Sequence, residues 1–317
     1  MRDGFNREIT YLRLSVTDLC NLCCIYCTSV CTTRQKHSGE ILSIEELAEI
    51  AEATIAMGIR KVRITGGEPL LRHGVVELVR RISALQGINE VDITTNGILL
   101  PQYATELKAA GLKGINISID SLKAELYAEI TRDGKLSQAL NGLHSALDAG
   151  FDKIKVNCVL MGGINEGEVA DFVALTRQGV DVRFIELMPI GPAADWIKKC
   201  FVSADIVLQS VPELSPLDAV GGVAGEYRLP NAAGKVGLIT PMSHAFCESC
   251  NRIRITADGK LKPCLHSAQE LPLRGLHGEA LLAAIRAGIM CKPQKHCLNT
   301  TLDSASQSVR DMCAIGG

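Results

Sequence analysis

Three cysteines, Cys20, Cys24 and Cys27, share one short segment in the pattern Cys20-x3-Cys24-x2-Cys27. A cubane iron–sulfur cluster is usually held by four cysteines, one on each iron. Three cysteines leave one iron open, and an open iron can take a substrate or cofactor as its ligand. Two plainer readings compete. Cys20-x2-Cys23 and Cys24-x2-Cys27 form two pairs for a zinc ion, but zinc ribbons separate their pairs by a dozen residues or more so that the chain can turn. Buried core thiols are the other reading, and five cysteines between Cys20 and Cys31 are too many for it. An iron–sulfur site is favoured, with Cys23 as the supernumerary member.

A second set follows the pattern Cys247-x2-Cys250-x13-Cys264. Here zinc is the stronger competitor, because a CxxC pair beside a hairpin is typical of zinc knuckles, and His244 or His266 offers a fourth ligand. From the residues alone, zinc and iron–sulfur stand level. A third signal is Thr65-Gly66-Gly67-Glu68-Pro69. Two glycines let a backbone approach a ligand closely, and a carboxylate pairs with an ammonium. By itself this run is also an ordinary strand-to-helix turn. Cations complete the set. Arg13, Arg63 and Lys155 fall inside predicted strands, and Arg252 and Arg254 flank Ile253 on one face of another. Each alone is more often a solvated surface group; together they favour an anion site, with Arg183 a weaker addition.

The elements that must position these residues alternate. Strands are predicted at Tyr11–Val16, Lys61–Thr65, Val91–Thr94, Gly114–Ile119, Ile154–Leu160 and Val182–Leu187. Helices are predicted near 43–57, 74–86, 101–110, 123–130, 137–149 and 166–178, the first with a capping box from Ser43 to Glu46. Such alternation implies parallel strands with right-handed crossovers, an α/β fold with a partial (β/α)6 TIM-like barrel. The cysteine loop then sits at the C-terminal end of the first strand, where barrel enzymes build their sites. Beyond about residue 190 the period degrades, with turns at Gly191-Pro192 and Gly221-Gly222. Short strands are expected at Val236–Thr240 and Arg252–Thr256, a hairpin turn at Asp258-Gly259, and helices near 278–288 and 303–313. The organisation expected is a flexible N-terminus over 1–10, a barrel over 11–195, and a C-terminal extension over 196–317 carrying the second cysteine set.

A chain of 317 residues with a formal net charge of −2 has no global pull toward nucleic acid or an anionic membrane. Neither a membrane span nor the apolar run of a secretory signal is visible. Thirteen cysteines, an odd number gathered mainly in two places, point to metal in a reducing compartment, hence the cytoplasm, rather than to a disulfide scaffold.

The motifs together resemble the radical S-adenosylmethionine superfamily. C-x3-C-x2-C with Tyr26 before the last cysteine is its hallmark, and Gly66-Gly67-Glu68-Pro69 matches its GGEP motif. The resemblance implies that Cys20, Cys24 and Cys27 hold a [4Fe-4S] cluster, and that Tyr26, Gly66, Gly67, Glu68, Ser118 and Met188 contact S-adenosylmethionine. Farther along, FCxxCNRIRxTADGKLKPCL and the final Gly316-Gly317 resemble the GTP 3′,8-cyclases of molybdenum-cofactor biosynthesis. That likeness turns the second site toward a second [4Fe-4S] cluster on Cys247, Cys250 and Cys264, facing the guanine of GTP. It implies GTP contacts from Arg13, Arg63, Thr94, Lys155, Arg252 and Arg254, and a double glycine reaching into the active site. The implied reaction is hydrogen abstraction from ribose C3′ of GTP by a 5′-deoxyadenosyl radical and closure onto guanine C8. An electron donor such as flavodoxin or ferredoxin, a downstream cyclic pyranopterin monophosphate synthase and a homodimer are the partners implied. A radical enzyme acting on a peptide would keep the first loop without needing the NRIR segment or the double glycine. An electron carrier would need four cysteines per cluster and no GGEP.

Overall fold

The computed structural model describes residues 1–29, 41–132, 134–218, 224–296, 298 and 306–317. Cys31, the Gly221-Gly222 turn and residues 303–305 of the last expected helix lie outside the described residues. Strands β1 (Tyr11–Ser15), β2 (Lys61–Thr65), β3 (Glu90–Thr95), β4 (Gly114–Ser118), β5 (Lys153–Leu160) and β6 (Asp181–Glu186) pair in chain order, all parallel. Between them run α1 (Ile44–Ala56), α2 (Val75–Ser83), α3 (Leu100–Ala109), α4 (Ala124–Thr131), α5 (Leu136–Asp148) and α6 (Val169–Ala174). The expected capping box opens α1: the Glu46 N–H donates to Ser43 Oγ at 3.1 Å, and the Ser43 N–H donates to the Glu46 carboxylate at 2.7 Å.

Strand alternation divides the side chains between two faces. Leu12, Leu14, Val62, Ile64, Ile93 and Val156 join Leu47, Ile50, Leu78 and Leu143 of the helices in one buried core. The intervening positions carry Tyr11 and Arg13, Lys61 and Arg63, Asp92 and Thr94, Asn116 and Ser118, Lys155 and Asn157. The other face of the sheet is therefore polar and charged. Its charges are largely paired. Arg63 donates to Asp92 at 2.6 Å and to the Tyr11 hydroxyl at 2.5 Å, while Lys61 reaches Asp92 at 2.8 Å. Burial works to raise the Tyr11 phenol, but Arg63, Arg13 and Lys61 outweigh it and bring it down to about 8.

The rest of the chain does not form a separate layer. It comprises α7 (Ala193–Cys200), α8 (Ile206–Ser210), β7 (Ser215–Pro216), β8 (Ala224–Arg228), β9 (Val236–Ile239), β10 (Arg252–Ile255), β11 (Lys260–Lys262), β12 (Leu271–Pro272), α9 (Gly278–Met290) and α10 (Met312–Ile315). β9 lies parallel beside β6, and β10 lies parallel beside β1. Among the described residues, eight parallel strands thus run side by side from β10 through β1–β6 to β9, and antiparallel strands flank both ends. The barrel is open, since β9 and β10 do not pair with one another. The extension widens it by one parallel strand on each edge, more than the six units read from the strand–helix period. The expected turn at Asp258-Gly259 joins β10 to antiparallel β11.

Two expectations are corrected. Residues 1–10 are not a loose end. Ile9 is fully buried, the Met1 ammonium donates to the Met57 carbonyl at 2.9 Å, and Asp3 accepts from the N–H groups of Phe5 and Arg7. The helix expected near 303–313 is, among the described residues, only the single turn of α10.

Removing one member of a buried ion pair strands the other, at a cost of about 3–5 kcal/mol. Asp92→Ala should therefore lower stability by about that amount, read as the shift in a denaturant unfolding curve. A shift below about 1 kcal/mol would mean that Tyr11 and solvent suffice for Arg63.

Candidate active site

The end of β1 runs straight into the first cysteine loop, and the turn after β2 is bound to it. The Gly67 N–H donates to the Thr17 carbonyl at 2.8 Å, and the Glu68 N–H donates to the Leu19 carbonyl at 2.7 Å. A Cβ on Gly66 would stand 2.5 Å from Thr17 O, and one on Gly67 2.3 Å from Leu19 O. The two glycines are thus demanded by the approach of one protein segment to another. The Glu68 carboxylate is fully buried and accepts from Leu70 N–H at 3.0 Å, Thr95 Oγ1 at 2.8 Å and Asn96 N–H at 2.7 Å. Burial still lifts it to about 7. Its side chain serves the turn after β3 and does not line the cavity; what the motif presents there is the backbone of Gly66 and Gly67.

Cys20, Cys24 and Cys27 surround a small cavity of about 40 Å³ together with Gly67, Thr28 and Cys313. Burial pushes the Cys20 thiol up to about 12 and the Cys24 thiol well above its ordinary value. Cys27 is raised first by its hydrogen bond with Cys313 and then by burial. Thiols whose pKa is raised in this way are deprotonated by a coordinating metal, so this donor set fits a thiolate-bound cluster. Asn96 braces the loop through Nδ2, which donates to Asn21 Oδ1 at 2.7 Å and lies 3.9 Å from Cys20 Sγ.

The same three cysteines also line a larger cavity of about 280 Å³, and so do Cys247, Cys250 and Cys264. Two segments more than 200 residues apart in sequence therefore face one space. The N-terminal strap fixes the second segment, with Arg7 donating to the carbonyls of Cys247 at 2.7 Å, Gln294 at 2.9 Å and Pro293 at 2.7 Å. Lys292, also buried, donates to the carbonyls of Arg252 and Pro263 at 2.9 and 3.0 Å. Burial would raise the Cys250 thiol, but Lys292 and Arg252 reverse that and hold it at about 7. His266 lines the cavity, and burial with His296 alongside pulls it down to about 3, so it is neutral. His244 is exposed and does not line the cavity.

Tyr26, Ser118 and Met188 line this cavity. The Tyr26 hydroxyl donates to Asp120 at 2.8 Å, and burial lifts that carboxylate to about 6. Arg13, Arg252 and Arg254 line it as well, as do Thr94 and Asn157. Among the described residues, Arg13 Nε, Thr94 Oγ1 and Asn157 Oδ1 are buried without a protein hydrogen-bond partner. Buried polar atoms are normally satisfied, so these mark where a polar ligand fits. Gly317 lines the same space, with Gly316 beside it. Arg254 donates to the Gly316 carbonyl at 2.9 Å, and Arg13 donates to the Gly317 carbonyl at 2.6 Å. Gly316 has φ +86°, and a Cβ there would stand 2.7 Å from Thr65 Oγ1 and 2.8 Å from Ser15 Cβ.

Arg63 and Lys155, expected at GTP, are instead turned to Asp92 and Asp181 and do not line the cavity. Asn96, Asp120, Lys292 and Cys313 are the residues of the site that sequence reasoning passed over. Asp120 closes the Asn116–Asp120 run, Lys292 opens Lys292-Pro293, and Cys313 sits just before the double glycine, so each had a visible neighbour as its signal.

An open parallel barrel whose first strand feeds a three-cysteine loop, bound to a GGEP turn, defines a radical S-adenosylmethionine enzyme. The family model described as "Radical SAM superfamily" matches residues 14–176, and that described as "Molybdenum Cofactor Synthesis C" matches 180–298. The chain is 50% identical over 323 residues to the GTP 3′,8-cyclase of Alkaliphilus metalliredigens and 48% identical over 322 residues to that of Alkaliphilus oremlandii, covering 100% of each chain in both cases. The crystal structure of Streptococcus suis SuiB bound to S-adenosylmethionine superposes with a TM-score of 0.64 at 15% identity, over 97% of this chain and 77% of that one, which is a likeness of fold. The chain belongs to the GTP 3′,8-cyclase family, within the radical S-adenosylmethionine superfamily, and so takes a [4Fe-4S] cluster and S-adenosylmethionine.

Gly67→Ala should displace the cysteine loop, because the added methyl would overlap Leu19 O. We expect folded protein by circular dichroism with several-fold less iron at the first site. Wild-type iron content in that variant would contradict the close-approach account.

Proposed function

We propose that this chain converts GTP to 3′,8-cyclo-7,8-dihydro-GTP, the first step of molybdenum-cofactor biosynthesis. What carries the reading is that both cysteine sets, three arginines and Gly317 line one cavity. Cys20, Cys24 and Cys27 would hold the first cluster, which with S-adenosylmethionine would supply one-electron chemistry, a 5′-deoxyadenosyl radical able to take hydrogen from ribose C3′. The protein must bind, orient and exclude water, because a primary radical attacks whatever it meets. In this reading residues 11–195 hold the radical source. Tyr26, Ser118 and Met188 line the cofactor's wall, Gly66 and Gly67 offer backbone, and Glu68 acts by fixing the turn.

Residues 196–317 hold the substrate in this reading. Cys247, Cys250 and Cys264 would hold a second [4Fe-4S] cluster able to take the guanine, and Lys292 would supply positive charge beside their thiolates. Arg252, Arg254 and the unpaired Nε of Arg13 meet the triphosphate, since guanidinium donors suit phosphate oxygens. Thr94 Oγ1 is a further donor without a protein partner. Arg63 would have to abandon the buried Asp92 and Lys155 the half-buried Asp181 to join them, so we assign both to the fold. Gly316 and Gly317 fill the space left beside the substrate, where any side chain would collide. A flavodoxin or ferredoxin provides the electron, and cyclic pyranopterin monophosphate synthase consumes the product. Ten of the described cysteines, Cys23 not among them, are free thiols, and we place the chain in a reducing cytoplasm; among the described residues no helix is long and apolar enough to cross a membrane.

Reconstituted protein should carry about eight irons per chain, the content of two cubanes, and should release 5′-deoxyadenosine from S-adenosylmethionine faster when GTP is present. About four irons with a zinc ion would assign zinc to the second site, and release indifferent to GTP would remove GTP as substrate. Deleting Gly316 and Gly317 should abolish GTP turnover while leaving iron content unchanged. Full turnover in that variant would remove the double glycine from the reaction.

A further inference from the structure

The reaction as described makes no use of Cys313. This thiol is buried on α10 and is the fourth thiol around the small cavity formed by Cys20, Cys24 and Cys27. The Cys27 and Cys313 side chains are hydrogen-bonded to each other. The contact does not rest on one rotamer, because the whole segment is fastened to the cysteine loop. The Met312 N–H donates to the Cys27 carbonyl at 3.1 Å, the Ser29 N–H donates to Asp311 Oδ2 at 2.9 Å, and Ser29 Oγ lies 3.3 Å from Asp311 Oδ1.

We propose that Cys313 is a positioning residue for the first cluster: its S–H donates a hydrogen bond to the Cys27 sulfur and makes the cluster easier to reduce. The proposal rests on the cluster being held by Cys20, Cys24 and Cys27. A metal-bound thiol is deprotonated outright. In the loaded protein Cys27 is therefore the acceptor and Cys313 keeps the proton. Taking up an electron adds negative charge to the cluster and its sulfurs, so a donor to one of those sulfurs stabilises the reduced form more than the oxidised form. Hydrogen bonds to cluster sulfurs and the surroundings of the ligands are recognised controls on potential. The alternative role, a fourth thiolate on the open iron, fits the geometry less well. Ligands on different irons of a cubane stand farther apart than two sulfurs sharing a hydrogen bond. The same short segment leads into Gly316-Gly317, so the residues that ease electron entry also seat the tail.

The test uses full-length reconstituted protein, with iron counted in every sample. The low-temperature electron paramagnetic resonance signal that changes on adding S-adenosylmethionine marks the first cluster, and its midpoint potential is measured by redox titration. Cys313→Ala should shift the midpoint to lower potential at unchanged iron content. Cys313→Ser, which keeps a donor as O–H, should recover most of the shift. Cys313→Val, which fills the volume without a donor, is read in the same way as the alanine variant if that variant loads poorly. A wild-type midpoint in a fully loaded Ala or Val variant overturns the proposal. So does iron X-ray absorption showing a fourth protein sulfur on the cluster that is lost with Cys313. Failure of the wild-type protein to bind iron through Cys20, Cys24 and Cys27 would instead sink the cluster assignment on which the proposal rests.

Discussion

Two backbone hydrogen bonds hold the site together: Gly67 N–H to the Thr17 carbonyl and Glu68 N–H to the Leu19 carbonyl. They weld the turn after β2 to the loop that carries Cys20, Cys24 and Cys27, at a separation no side chain at 66 or 67 would allow. From that contact the constraint spreads. Glu68 is buried beneath it and organises the end of β3 through Thr95 and Asn96, and Asn96 returns to the cysteine loop through Asn21. Three successive strand ends are thereby fixed around one set of thiols.

A second constraint is the polarity of the barrel's inner face. Burying charge is costly unless it is paired. Arg63 and Lys155 meet that demand within the sheet, opposite Asp92 and Asp181. Arg13 and Arg254 meet it differently, by donating to the carbonyls of Gly317 and Gly316. The tail is thus both a filler of the cavity and a partner for the Arg13 and Arg254 guanidinium groups. Burial brings Arg13 down to about 10, still charged at neutral pH, so it remains available to an anion.

Much of this was legible in the sequence, for identifiable reasons. The first six strands repeat with intervening amphipathic helices, and a repeated period is the strongest local signal there is. The cysteine spacings and the Arg252-Ile253-Arg254 alternation located the walls of the cavity, because spacing within one element translates directly into which face a residue occupies. Pairings between distant elements were not legible. That Arg63 would find Asp92 one strand away depends on register, which local pattern does not report. The parallel placement of β9 and β10 at opposite edges depends on how the chain crosses the barrel. The strap from Asp3 to Arg7 looked like a frayed end because its partners, the carbonyls of Cys247, Pro293 and Gln294, are some 240 to 290 residues away in sequence. Glu68 was read as a cofactor contact from the GGEP motif and its charge; its burial and its three donors depend on packing that the motif does not report.

If the two cysteine sets serve one chamber, the carbon-centred radical formed at the first must meet a sugar held by the second. GTP carrying deuterium at ribose C3′ reports on this directly when 5′-deoxyadenosine from an anaerobic single turnover is analysed by mass spectrometry. The account predicts 5′-deoxyadenosine carrying one deuterium. Unlabelled 5′-deoxyadenosine accompanying GTP consumption would contradict it, since the radical would then be finding its hydrogen elsewhere.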